Sequence, residues 1–138
     1  MEQVGKDQTI VRPPWVMPKA FDLMGERDGQ VKRAYEAGVK IAMGTDSGVM
    51  PHGMNLRELS LMCSELGMSP MAAIQASTKV AAECMGWEDK VGTLEAGKLA
   101  DVIVCAVDPL ADIDGLANRE NIRLVMKDGQ VVKTLLSS

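Results

Sequence analysis

At 138 residues and 14.8 kDa the chain has the length of one ordinary domain. With 46% hydrophobic and 25% charged residues it has a globular composition, which excludes a largely disordered chain. Fifteen basic against nineteen acidic residues leave a net charge of −4, without the basic footprint of a nucleic-acid or anionic-membrane binder.

No stretch approaches the roughly 20 apolar residues of a spanning helix. Met1 to Thr9 is polar and carries no signal-peptide pattern, so a cytoplasmic location is expected. Aromatic residues are only 3% while Met occurs 11 times, so the core must be built from Met, Leu, Val, Ile and Ala. Cys63, Cys84 and Cys105 are odd in number and widely spaced, and are expected as buried reduced thiols. His52 is the only histidine.

In chain order, Arg12-Pro13-Pro14-Trp15 and Pro18 make residues 1–25 mostly loop. Val31, Ala34 and Tyr35 then recur at helical spacing, and Gly38 sits where a left-handed cap belongs. Val39–Met43 follows as a short apolar run and reads as a buried parallel strand. A loop runs from Thr45 through His52-Gly53. Asn55 is expected to cap a helix, with Glu58 completing a capping box. Leu56, Leu59, Met62, Cys63 and Leu66 form its apolar stripe, and Gly67 ends it. Ser69-Pro70 starts a further helix with Met71, Ala73 and Ile74 on its apolar face. Thr78 is expected to break and recap it, and Gly86 to close the last turn.

Beyond Gly86 the character changes. Gly92 to Lys98 reads as a strand end and turn. Ala100 to Val107 contains a second buried strand, Val102 to Cys105, which Pro109 stops. Ile122–Lys127 and Gln130–Leu136 flank Asp128-Gly129, the signature of a hairpin whose two turn residues need positive φ. The fold class is therefore α/β at first, with a β-rich unit after it. Strand Val39–Met43 has no evident partner, so either residues 1–12 supply one or the partner strands are missing from this chain.

Asp46 is the sharpest candidate for chemistry. It lies just past the end of the expected parallel strand, where ligands and catalytic groups of such folds gather. Gly44 and Gly48 permit close backbone approach, and Thr45 and Ser47 could orient its carboxylate. Asp followed by Ser-Gly is equally good turn chemistry. His52 could serve as base, ligand or substrate contact, or be an exposed loop histidine. One His and one Asp cannot close a catalytic metal site. Nucleotide-binding loops and nucleophile elbows are absent. Asp101 at a strand entry and Asp108-Pro109 in a turn read as structural.

Gly44-Thr45-Asp46-Ser47-Gly48, His52-Gly53, Asn55-Leu56-Arg57-Glu58-Leu59, Gly67-Met68-Ser69-Pro70, the run Gly92 to Asp101, and Val125-Met126-Lys127-Asp128-Gly129 occur in that order. As an ordered set they resemble the C-terminal part of the amidohydrolase superfamily, in its imidazolonepropionase-related and Xaa-Pro dipeptidase (prolidase) branch. The resemblance implies the end of a metal-dependent (β/α)8 TIM-barrel hydrolase of C–N bonds, plus part of a small β-sandwich. Residues 1–87 would be the last strand–helix part of the barrel with trailing helices, and 88–138 the sandwich strands. It implies Asp46 as metal ligand and proton acceptor and His52 as a substrate-binding residue. A divalent metal, zinc first, is implied for a full-length parent, and none for the isolated chain. The implied substrate is a small amide or dipeptide, and the implied partner is the missing N-terminal barrel segment or a second copy in a homo-oligomer. The family's histidines ahead of Asp46 are absent, because His52 follows it. A C-terminal fragment inactive alone is the expectation. The alternative is a non-catalytic α+β module that folds or oligomerises on its own.

Overall fold

The computed structural model describes residues 29–46 and 52–136. The expected loop over 1–25 lies outside the described residues. Helix α1 covers residues 29–36 of the described range. Its end is set by Gly38 at φ 85. The Val39 amide donates to the Ala34 carbonyl at 3.0 Å, and the Gly38 amide to that of Tyr35 at 2.9 Å. This double closure satisfies two orphan carbonyls, and glycine adopts its left-handed turn with least strain.

The segment expected as a parallel strand, Val39–Met43, forms no ladder. A strand needs a hydrogen-bonded neighbour, and among the described residues none lies beside it. Val39 is accordingly 53% exposed rather than buried. What anchors the segment is a helix: the Met43 amide donates to the Ala76 carbonyl at 3.0 Å. Lys40 adds an ion pair to Glu83 at 2.8 Å.

Three short helices follow, α2 (Arg57–Leu66), α3 (Pro70–Ser77) and α4 (Lys79–Met85). The expected stripe of α2 is inward, with Leu59 and Met62 buried and Leu56, Cys63 and Leu66 packed at the margin. Its capping box does not form. A tight turn precedes the helix, with the Arg57 amide on Met54 O (3.0 Å) and the Glu58 amide on Asn55 O (3.2 Å). Leu56 becomes the cap, which leaves Glu58 one position short of the reciprocal box. Ser69 and Pro70 start α3 as expected, the Ser69 hydroxyl accepting from the Ala72 amide at 3.2 Å. The buried face of α3 is Ala73 and Ala76, whereas Met71 points to solvent. Thr78 separates α3 from α4, but its hydroxyl donates back to Ile74 O at 2.7 Å instead of capping forward. Gly86 closes α4 in the same way that Gly38 closes α1, with the Trp87 amide on Ala82 O and the Gly86 amide on Glu83 O.

Among the described residues the sheet has three antiparallel strands in the order β1 (Val102–Cys105), β2 (Ile122–Lys127), β3 (Gln130–Thr134). The hairpin forms where expected, with Asp128 at φ 49 and Gly129 at φ 76. Among the described residues β1 is an edge strand rather than a buried one, and Ile103 and Val104 are exposed. The register puts Val102, Met126 and Val131 on one face with Val104, Leu124 and Thr134. The opposite face carries Val125, which packs on the core, as does Cys105 beyond the bulge in β1. Leu116 and Ile122 join Leu59, Met62, Met68, Ala73 and Ala76 in that core. Two 3-10 turns, Asp114–Ala117 and Arg119–Asn121, carry the chain from the helices' surface into β2.

Two predictions follow from these contacts. A Cβ on Gly92 would lie 2.7 Å from Ala82 Cβ and 3.0 Å from Thr78 O, and its φ is +95. Overpacking and the positive φ act together, so Gly92→Ala should destabilise the chain by roughly 2–4 kcal/mol, read as a lower denaturation midpoint. The Lys40 ammonium, donating to Glu83, holds that carboxyl below its ordinary value, while Glu83 raises Lys40. The lowered acid stabilises the fold above the unfolded Glu value, and that contribution fades as pH falls through the folded one. The raised base stabilises below the unfolded Lys value, and fades as pH rises through its folded one. Wild type and Glu83→Gln should therefore differ most near neutrality and converge in acid, in alkali and in high salt, as thermal melts across pH would record.

Candidate functional site

The chain reaches Asp46 from the Met43–Ala76 bond, so α3 sets where the residue emerges. Asp46 is exposed and holds φ 46, a left-handed conformation uncommon outside glycine but accessible to Asp. Gly44 is not what permits this: a Cβ there would meet nothing within 4 Å, and its φ is not in the left-handed range. Thr45 is half-buried. Ser47 and Gly48 lie outside the described residues.

His52 is exposed on the loop that leads into α2. The interaction that fixes it involves its backbone. Arg119 Nη2 donates to the His52 carbonyl, and Arg119 Nε to that of Gly53 at 3.2 Å. Gly53 takes φ 82, and a Cβ there would come within 2.6 Å of the Arg119 Cζ. The guanidinium therefore occupies the space that a larger residue would need. Nothing local in the sequence singles out Arg119, because its partners lie 66 and 67 residues away.

Asp101 is structural, as expected. Its Oδ1 accepts from the Asp128 amide at 2.7 Å, and the neighbouring Ala100 carbonyl accepts from Gly129 at 3.1 Å. Asp108 shapes its own turn by accepting from the Leu110 amide at 2.9 Å. Cys63 and Cys105 are half-buried free thiols, and burial pushes both up from the ordinary range, with Asp114 adding to Cys63. Cys84 is exposed, against expectation, because it faces outward on the short helix α4.

A cleft of about 380 Å³ lies between α3–α4 and residues 91–103, lined by Thr78, Met85, Leu94, Leu99, Asp101 and Ile103 among others. Neither Asp46 nor His52 lines it. Among the described residues no three His, Cys, Asp or Glu side chains cluster to hold an ion. Taken alone, they do not fit a divalent metal: Asp46 offers one carboxylate where a catalytic site needs about three protein ligands. Among the described residues no helix is long and apolar enough to cross a membrane.

The pattern of the amidohydrolase family matches residues 27–132, a range that contains Asp46, His52, the helices and most of the sheet. The chain belongs to the amidohydrolase family. It is 38% identical over 87 residues to the imidazolonepropionase of Symbiobacterium thermophilum, covering 62% of this chain and 20% of that protein. It is 37% identical over 101 residues to the ochratoxinase of Aspergillus niger, covering 72% of this chain and 21% of that one. The crystal structure of a Xaa-Pro dipeptidase with methionine bound in its active site superimposes with a TM-score of 0.79 at 43% identity, over 88% of this chain and 29% of that one. The branch that the ordered motifs indicate is thus the branch found. The chain spans about a fifth to three-tenths of the length of these relatives.

Proposed function

We propose that this chain contributes the C-terminal part of a metal-dependent hydrolase that splits a C–N bond in a small amide or dipeptide. The observation that carries the reading is the family match across residues 27–132 together with imidazolonepropionase and dipeptidase relatives. In this reading residues 1–87 complete a (β/α)8 barrel, residues 88–138 supply strands of a sandwich, and the assembled enzyme is cytoplasmic. The divalent ion, zinc first, would take Asp46 as one ligand and the others from outside the chain, so the isolated chain is inactive.

Asp46 then has a task of its own. An ionised carboxylate at the mouth of a site can accept the proton of an attacking water and return it to the departing nitrogen. Proton return matters because an amide nitrogen leaves poorly as an anion. The left-handed backbone of Asp46 suits a residue that must project from a short connection. His52 lines the substrate pocket from the next loop, where an imidazole can donate to or accept from a polar substrate group.

The test joins this chain to the N-terminal barrel segment of an imidazolonepropionase and measures turnover with metal content checked. Asp46→Asn keeps the shape but cannot hold the proton, so kcat should fall by about 10²–10⁴-fold. His52→Ala should act mainly on KM. An Asp46→Asn enzyme within about threefold of the parent would overturn the assignment.

A second reading is a non-catalytic module that pairs with another copy of itself. It is favoured by the sheet, whose face with Val104 and Val131 is apolar and exposed, and by the edges of β1 and β3, which no other strand among the described residues pairs. Light scattering of the 138-residue chain should then show concentration-dependent self-association, and a monomer at all concentrations would reject it.

A further inference from the structure

The contact that the proposed chemistry leaves unused is the one Arg119 makes. Two donors of a single guanidinium reach two successive carbonyls, of His52 and Gly53. Planar guanidinium suits this double capture, whereas an ammonium offers a point charge. The arginine is itself held at its backbone. Asn118 caps the turn that carries it, its Oδ1 accepting from the Glu120 amide at 3.0 Å. Lys133 Nζ, on β3, donates to the Arg119 carbonyl at 2.9 Å. Gly53 completes the fit, since any side chain there would collide with the guanidinium.

We propose that Arg119 is a positioning residue that clamps the His52 loop to the C-terminal sheet and so fixes where the loop enters α2. It rests on the reading of His52 as a pocket residue for its functional meaning, but the clamp itself is independent of that reading. The Gly53 carbonyl is one residue ahead of Met54, whose own carbonyl accepts the Arg57 amide in the tight turn that leads into α2. Loosening the clamp frees residues 52–54 and lets that turn fray.

Nuclear magnetic resonance of the 138-residue chain tests the clamp without any measurement of activity. The Arg119 Nε–H should exchange with solvent about tenfold more slowly than an arginine in an unfolded peptide, as a charge-assisted hydrogen bond partly in water allows. It should also show a through-hydrogen-bond coupling to the Gly53 carbonyl. In Arg119→Ala the Arg57 and Glu58 amides should exchange about tenfold faster. The Ala73 amide, bonded to Ser69 O in α3, should stay unchanged. Arg119→Lys should restore part of the protection and not all of it. Lys133→Ala, which leaves the guanidinium in place, should loosen the same amides to a smaller degree. Free exchange of the Arg119 Nε–H would overturn the proposal. So would an equal acceleration at Arg57 and Ala73, which marks general destabilisation, or no change at either. Failure of the catalytic role of Asp46 would leave these results as they stand.

Discussion

Helix α3 is the element on which the rest depends, and its small inward residues are the reason. Ala73 and Ala76 let other segments approach its backbone closely, so that Leu59 and Met62 of α2 pack from one side and Leu116 and Ile122 join the same core. The carbonyl of Ala76 also receives Met43, which directs the chain toward Asp46. Just past its end, the turn at Thr78 meets Gly92 so tightly that no side chain fits there. One eight-residue helix thus orients the approach to the candidate site and docks the segment leading to the sheet. Substituting a larger residue for Ala76 would disturb both through one change.

Local chemistry was readable from the sequence, and distant chemistry was not. The glycine closures at Gly38, Gly67 and Gly86, the Ser69–Pro70 start and the Asp128–Gly129 hairpin each depend on residues within one turn. They therefore stand where the residues put them. The strand expected at Val39–Met43 needs a ladder from elsewhere, and apolar composition alone cannot create one. The capping box failed for a different reason: a tight turn before α2 moved the register by one residue. Of the candidate site, Asp46 and His52 were identifiable as residue types after a strand-like run and in the next loop. The arginine that holds that loop was not, because no periodicity or short motif joins positions 53 and 119.

A shortage of covering surface also shapes this chain. Leu94 at 80% exposure and Val132 at 63% are large apolar groups in water. Scattered singly, such residues are ordinary, but here they accompany an apolar sheet face and two edges that no other strand among the described residues pairs. The relatives are about three times as long as this chain. The catalytic and the self-pairing readings differ in what lies against that surface.

The clasp of Asp101 on the hairpin carries a consequence for how the molecule assembles. A two-residue turn closes early, because the loop it must search is short. Once closed, it presents the Asp128 and Gly129 amides side by side, and those amides capture Asp101 Oδ1 and the Ala100 carbonyl directly ahead of β1. The turn therefore ties the entry of β1 to the tip of the hairpin and supports the register of β1 on β2. A substitution at Asp101 would be felt at two points of the sheet, at the entry to β1 and at the tip of the hairpin.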